Sequence, residues 1–507
     1  MNVDKKKAVK NITVSIIFKL ILLVLALLPK RFLIKYVGND ANGLFALYQS
    51  IIGILSVAEL GISTAISYSF YKPIINKEDN KVNAIYNLFA KAYRVIGLVI
   101  LLSGILVMPF IKYLAKDYTI DVNIYLAYMI VLVATVITYL YNSKCTLVNA
   151  YKNNYIETTF QSIAMILQYI GQIVVLILTH NFYLYLLMIM ISNFIHYLLI
   201  SIYVNKKHKN VISDKEQKVD DETKKEIVKN VKAMFIHKLG SAIFNSIDSI
   251  IISAILGVVI LGKYSNYTTI MNSMRALIIL FFVPLTSIVG HVCVNETSEK
   301  KEEYFNFFYF FNLIIGVVFH LGFYAVIQDL IPIIFGENLN LDKGVIFVFS
   351  INYFVQFMRQ CIYLFKDATG SFYYDRWVPL VEGFFNIVFS LLFGYYFGII
   401  GITVATILIN LFIDDIVEPY VLYKHVFKNK VKKYYLKNYF IMIVFVCLMF
   451  ILDLFMTSSH SHIVNLLING TISVAISLIF TIAILILKKE YRYKIIEVLK
   501  NKKKYKL

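Results

Sequence analysis

The sequence predicts an all-α polytopic membrane protein with about fourteen transmembrane helices, arranged as two six-helix lobes followed by two further helices. Three observations predict this class. Apolar residues make up 59% of the 507 residues and charged residues only 16%, whereas soluble domains contain about 45–50% apolar and about 25% charged residues. The apolar residues also fall into long runs, and part of the chain repeats itself at a fixed spacing.

The apolar runs are long enough to cross a bilayer, whose core of about 30 Å needs about 20 residues of helix. The fourteen runs are 12–36, 43–70, 89–111, 123–141, 159–178, 182–204, 233–257, 264–289, 304–327, 344–364, 378–397, 399–420, 436–453 and 463–487. They predict an N-terminal lobe (1–204), a cytoplasmic linker (205–232), a C-terminal lobe (233–425), two extra helices (426–487) and a basic cytoplasmic tail (488–507).

The basic residues set the expected orientation, because loops rich in Lys and Arg resist translocation. With the N-terminus in the cytoplasm, 37 of the 50 Lys and Arg residues fall in inside segments and 7 in outside segments. This split predicts a multi-pass protein with both termini cytoplasmic. The net charge of +19 is then explained mainly by cytoplasmic loops and a tail on anionic headgroups, and nucleic acid is not needed as a partner.

Enzyme chemistry finds no support in the sequence. There is no Walker A, HExxH or GxSxG motif. The cysteines are far apart, without CxxC or Cys/His ligand spacing, so the sequence predicts neither a metal site nor a disulfide. His196 and the other helix histidines are more typical of packing or hydrogen bonding than of a site. We expect no cofactor, and coupling at most to protons or sodium.

An internal repeat links the two halves of the chain. Four residues recur at an offset of 219: Gly38, Gly43, Phe45 and Tyr48 match Gly257, Gly262, Tyr264 and Tyr267, and Lys19 matches Lys238 at the same offset. Each copy contains six spans, so both would run in the same direction through the membrane. Parallel repeats of this kind build two-lobed transporters with the substrate path between the lobes.

Ionisable residues inside the spans mark the candidate site, because each costs at least about 2.5–3.5 kcal/mol unless it meets water, a partner or a substrate. The cations are Lys19, Lys91, Arg94, Lys238, Arg275 and Arg359, and the acids are Glu59, Asp248, Glu382, Asp414 and Asp415. Polar stripes on several helices predict a wetted cavity, with interhelical hydrogen bonding as the alternative for the neutral residues. Lys19, Lys238, Arg275 and Arg359 would favour an anionic cargo such as a pyrophosphate. Glu59, Asp248 and Asp414 are candidates for ion coupling or for structural pairing with the cations.

Several stretches resemble the bacterial flippases of lipid-linked oligosaccharides (Wzx-like) of the MOP superfamily, which also contains the MATE drug exporters and the lipid II flippases. The stretches are RFLIKYVG (31–38), NGLFALY (42–48), ELGIS (59–63), DSIIIS (248–253), GKYSNY (262–267), LIPIIFG (330–336) and ATGSFYYDR (368–376). The resemblance spans about residues 12–425. It implies two six-helix lobes, sometimes with two extra helices, around a cationic cavity that binds the diphosphate of an undecaprenyl-linked oligosaccharide.

The expected function is therefore an alternating-access flippase in the bacterial cytoplasmic membrane, serving capsule, exopolysaccharide or other surface polysaccharide assembly. Expected partners are the lipid-linked oligosaccharide, membrane lipids, and a polysaccharide polymerase and glycosyltransferases. Three alternatives stay open: a MATE-like cation or drug antiporter, a lipid II-type flippase, and a non-transporting scaffold of polysaccharide assembly.

Overall fold

The computed structural model consists of α-helices joined by short turns and loops, and it describes residues 2–56, 62–212, 219 and 221–488. Within these ranges the side chains of 2–12, 62–68, 221–238, 281, 283, 284 and 287 are outside the description. The basic tail from residue 489 onward and Glu59 also lie outside the described residues.

The helices follow one another in a single series, interrupted by short 3₁₀ and π turns. They are α1 (Asn2–Leu25), α2 (Leu27–Tyr36), α3 (Asn39–Leu55), α4 (Ile62–Ile75), α5 (Asp79–Val107), α6 (Ile111–Leu114), α7 (Ile124–Ala150), α8 (Asn154–Thr179), α9 (Phe182–Lys207), α10 (Asp221–Leu256), α11 (Val258–Asn295), α12 (Ser298–Phe335), α13 (Lys343–Met358), α14 (Gln360–Thr369), α15 (Val378–Ile409), α16 (Asp415–Leu422), α17 (Lys432–Phe455) and α18 (His462–Leu487).

The predicted spans coincide with these helices. Eleven helical segments of the described chain are long and apolar enough to cross a membrane, and one of them, Val378–Phe427, contains two predicted spans. The predicted spans 43–70 and 264–289, which are not among the eleven, correspond to α3 with α4 and to α11. The prediction of an all-helical polytopic membrane protein is therefore confirmed.

A turn at Gly398 divides α15 into the two predicted spans 378–397 and 399–420. Gly398 has φ 60° and ψ −139°, a conformation that only glycine adopts readily. A Cβ on Gly401 would lie 2.0 Å from the carbonyl oxygen of Phe393, and one on Gly394 would lie 2.8 Å from the Ile402 side chain. Residues on either side of Gly398 thus touch, so the chain reverses direction there.

Helix α10 differs from the expectation for the linker. It begins at Asp221 and continues without interruption to Leu256, through 36 residues. At about 1.5 Å per residue its length exceeds the roughly 30 Å of a bilayer core. The second part of the predicted linker is thus a helical extension of the seventh span.

By packing, the chain divides into two units. Unit 1 comprises Met1–Ser273 and Arg376–Ile402, with α7 packed on α5 and α9, and α9 on α8. Unit 2 comprises Met274–Asp375 and Thr403–Leu507, where α12 packs on α13, α17 and α18. The lobe boundaries drawn from the sequence repeat remain a prediction.

Candidate functional site

Two repeated glycines occupy equivalent turns between helices. Gly38 stands between α2 and α3 with φ 120°, and Gly257 stands between α10 and α11 with φ 92°. A side chain would strain either backbone. The offset of 219 in the sequence thus corresponds to a repeated structural feature, the sharp turn between the first two predicted spans of each copy.

The helices that follow these turns pack on each other through the second repeated glycine. A Cβ on Gly43 would lie 2.0 Å from the carbonyl oxygen of Val258, the first residue of α11. A Cβ on Gly262 would lie 2.5 Å from the carbonyl oxygen of Asn39, the first residue of α3. The two contacts are reciprocal, as a two-fold relation between the repeats requires. We call this contact of Asn39, Gly43, Val258 and Gly262 the α3–α11 junction.

Polar side chains reinforce the α3–α11 junction. Asn39 donates to the carbonyl of Val259 at 2.7 Å. Asn42 is 2% exposed, and its amide donates to the carbonyl of Gly262 at 2.9 Å and to Oδ1 of Asn266 at 3.1 Å. These bonds replace the water that the buried amides lose, so they hold the junction closed in this conformation.

Lys30 joins α2 to α11 beside the junction. Its ammonium donates to the carbonyl of Ser265 at 2.7 Å, to the Ser265 hydroxyl at 3.0 Å and to the Thr269 hydroxyl at 2.7 Å. In the sequence, Lys30 is one of several basic residues near the end of the first predicted span (12–36). Nothing in the sequence around Lys30 indicates that its ammonium donates hydrogen bonds to a helix more than 200 residues away.

The loop before α7 forms hydrogen bonds with both helices of the junction, α3 and α11. Asp40 of α3 accepts from the backbone N–H of Thr119 at 2.6 Å and from its hydroxyl at 2.7 Å. On the other side, the N–H of Val258 donates to the carbonyl of Lys116 at 2.8 Å. Opening the junction would therefore break bonds to this loop as well.

A buried ion-pair cluster lies in unit 2, centred on Arg359. Arg359 is 5% exposed and forms an ion pair with Asp414, which has no exposed surface. Its Nε donates to Glu418 at 3.0 Å and its Nη1 donates to Asn410 at 2.6 Å. A π turn at Asn410–Asp414 brings both residues to the same guanidinium.

The cluster continues to the loop that follows α14. Lys366 has no exposed surface; it pairs with Asp375 and donates to Glu418 at 2.9 Å, so Glu418 is shared by two cations. Nearby, Asp415 accepts from Asn438 at 3.2 Å. The sequence placed Lys366 and Asp375 in a polar connection and Glu418 at the end of a span, and no local pattern linked them.

The predicted site residues have different environments. Arg359 and Asp414 pair with each other, which is the structural pairing that the sequence offers as one reading of Asp414; a wetted cavity lined by either residue stays a prediction. Lys19 is exposed on α1, and Arg275 and Asp248 are partly exposed. The side chain of Lys238 and all of Glu59 lie outside the described residues.

Lys19 and Arg275 differ from Arg359 in their partners. Among the residues that the structure describes, no carboxylate forms an ion pair with either of them. An unneutralised cation in an apolar helix is costly unless water or an anionic ligand reaches it. Of these three predicted cations, Arg359 is thus neutralised by carboxylates, and Lys19 and Arg275 form no ion pair within the described part of the chain.

The fold is shared with solved transporters and flippases. The lipid II flippase MurJ in an inward closed conformation superposes with a TM-score of 0.65 at 15% identity, over 93% of this chain and 99% of that one. An inward-facing multidrug resistance MATE family transporter of the MOP superfamily gives 0.62 at 13% identity, over 82% and 98%. An outward-facing transporter of that family gives 0.55 at 13% identity, over 82% and 95%.

At these identities the likeness establishes the fold alone, which is the fold of a MATE family transporter of the MOP superfamily and of a lipid II flippase. Neither a protein-family model nor the sequence of any curated protein matches the chain significantly.

Proposed function

We propose that this protein is a flippase that moves undecaprenyl-diphosphate-linked oligosaccharides from the inner to the outer leaflet of the bacterial cytoplasmic membrane. The observation that carries the proposal is the match to a lipid-linked substrate flippase over 93% of the chain, compared with 82% for the drug transporters. The structure also has two helices, α17 and α18, after the twelve predicted spans of the repeat. Two extra helices of this kind agree with the resemblance to the lipid-linked oligosaccharide flippases.

The available cations support an anionic cargo. Lys19 and Arg275 have no carboxylate partner among the described residues, and Lys238 is the repeat-related counterpart of Lys19. A guanidinium presents a planar fork that suits phosphate oxygens, and an ammonium supplies a compact charge. In this proposal Arg275, Lys19 and Lys238 hold the diphosphate. Arg359, already bound by Asp414 and Glu418, maintains the packing of unit 2 in the present conformation.

The α3–α11 junction serves as the outer gate in the proposed transport cycle. The orientation predicted from basic residues places the turns at Gly38 and Gly257 on the outside. In this proposal the hydrogen bonds at the junction keep the outer gate closed. The higher TM-score with the inward-facing than with the outward-facing MATE transporter supports the same assignment.

Ion coupling would fall to acids that are not neutralised by Arg359. Of the three predicted candidates, Asp414 is paired with Arg359. Asp248 on α10 and Glu59 thus remain as proposed sites for proton or sodium coupling.

Arg275→Ala tests the proposal directly. At normal membrane abundance we expect lipid-linked oligosaccharide to accumulate on the inner leaflet, because the diphosphate loses its guanidinium partner. The readout is the leaflet distribution of the labelled lipid. Arg94→Ala is the matched control, since Arg94 is exposed near the predicted cytoplasmic end of its helix and should snorkel to headgroups. Unchanged flipping in both Arg275→Ala and Lys19→Ala would overturn the diphosphate-binding proposal.

A MATE-like cation or drug antiporter is the second candidate, favoured by the inward-facing transporter match at TM-score 0.62. It predicts altered drug sensitivity on deletion and no change in lipid-linked sugar. A lipid II-type flippase would instead trap lipid II on the inner leaflet. A scaffold for a polymerase and glycosyltransferases would tolerate neutralisation of Lys19, Lys238 and Arg275 together.

A further inference from the structure

Three helices of unit 1 bring together a cysteine, a glutamate and a histidine. Cys145 of α7, Glu157 of α8 and His196 of α9 each place one potential ligand atom within 4.8 Å of the other two. The three residues are spread over 52 positions of the sequence and show none of the short spacings by which metal sites are recognised.

The histidine of this group is buried without a hydrogen-bond partner for one ring nitrogen. His196 is 5% exposed, and its Nε2 has no partner among the described residues. The ring is held edge-on to Tyr141, with the ring centroids 4.9 Å apart. A buried polar nitrogen costs free energy unless it is bonded. The structure therefore leaves one ring nitrogen of His196 without a hydrogen bond, in a group that also brings a thiol and a carboxylate close together.

We propose that Cys145, Glu157 and His196 bind a divalent transition-metal ion, with Zn²⁺ the best match. Sulfur, imidazole nitrogen and carboxylate oxygen are the three ligand types that Zn²⁺ accepts, at about 2.0–2.3 Å. Ligand atoms within 4.8 Å of one another need only small side-chain movements to reach a common centre. The thiolate and the carboxylate together neutralise the charge of the ion. Three protein ligands leave a fourth position of the tetrahedron open to water.

Metal binding would join α7, α8 and α9 at one point. This site is independent of the proposed transport function, because none of its residues belongs to the diphosphate-binding set or to the α3–α11 junction. Its occupancy should therefore be measurable without any transport assay, and failure of either proposal leaves the other standing.

Titration of the purified full-length protein in detergent with Co²⁺ tests the site. Co²⁺ replaces Zn²⁺ in such ligand sets, and a Co–thiolate bond produces a charge-transfer band in the near ultraviolet. We expect the band to saturate at one Co²⁺ per chain and to disappear on addition of Zn²⁺. Cys145→Ser should lose the band. His196→Ala should keep the sulfur ligand, but it should bind Co²⁺ at least about tenfold more weakly. Mutating even a residue that only contacts a metal ligand typically weakens metal binding by about 10–100-fold.

Cys361→Ser is the matched control, because Cys361 is buried like Cys145 but is not part of this group. It should bind Co²⁺ like the unmodified protein. A band that survives in Cys145→Ser would overturn the proposal. If Cys145→Ser does not accumulate, the test uses the unmodified protein alone. The absence of a charge-transfer band at saturating Co²⁺ would then rule out a metal site that contains a thiolate.

Discussion

Arg359 shows how a charge inside an apolar segment can be satisfied without any substrate. Its guanidinium reaches Asp414, Glu418 and Asn410, and Glu418 also binds Lys366. Each member of such a cluster depends on the others, because removing one leaves a buried charge without a counter-charge. The cluster thus fixes α14 and α16 relative to each other within unit 2.

Arg359→Ala should lower the stability of the protein by about 3–5 kcal/mol, the usual cost of removing one partner of a buried ion pair. The measurement is thermal unfolding in detergent, together with membrane abundance. Lys343→Ala is the control: Lys343 pairs with Asp453 at 2.9 Å but its side chain is 57% exposed, so the loss should be at most about 1 kcal/mol. Equal stability of the two variants would contradict the structural assignment of Arg359.

At this scale the sequence predicts which residues carry charge inside the spans, but not which of them pair. Arg359 and Asp414 are 55 positions apart, and only the π turn at Asn410–Asp414 aligns the acid with the base. The contacts of Lys30, and the grouping of Cys145, Glu157 and His196, were missed for the same reason. Their partners come from helices that are distant in sequence, and a single sequence holds no record of such contacts.

At the scale of helices the sequence is far more informative, because apolar runs and glycines act locally. The apolar runs 378–397 and 399–420 predict two spans that meet at residue 398, and Gly398 has a backbone conformation that interrupts the helix there. The extent of α10 was not foreseen, because the polar segment after Asp221 lacks the apolar run by which spans are recognised. Helix ends outside the membrane depend on capping and packing more than on hydropathy.

Gly43→Ala and Gly262→Ala should each destabilise the protein by about 1–3 kcal/mol, as overpacking does. Each added methyl would overlap a backbone carbonyl across the α3–α11 junction. Gly290→Ala in α11 is the control, since a Cβ there meets no atom within 4 Å and alanine is the better helix former by about 1 kcal/mol. Thermal unfolding midpoints of the three variants make the comparison. A tolerated methyl at both junction glycines would mean that α3 and α11 do not pack this closely.

At the scale of the whole molecule, the repeat explains why equivalent glycines form a close contact in both copies. A two-fold relation turns one sequence pattern into two reciprocal contacts, Gly43 on Val258 and Gly262 on Asn39. A contact built from backbone and small residues would separate and close again with little side-chain rearrangement, which suits the alternating access proposed above. The offset of 219 predicted a repeat, but the meeting of its two copies could be learned only from the structure.

Locking the α3–α11 junction should therefore stop transport. In the protein carrying both Asn42→Cys and Asn266→Cys, the new thiols replace amide groups that now lie 3.1 Å apart, so an oxidant should join them in a disulfide while the junction is closed. If the proposed function is right, flipping of lipid-linked oligosaccharide by reconstituted protein should fall to background after oxidation, because the disulfide would keep the proposed outer gate closed. Flipping should return after reduction. The two single-cysteine variants, which retain the native cysteines, should be indifferent to oxidant. Full flipping in a quantitatively cross-linked double variant would show that α3 and α11 stay together throughout the cycle, and the gate would then have to lie elsewhere.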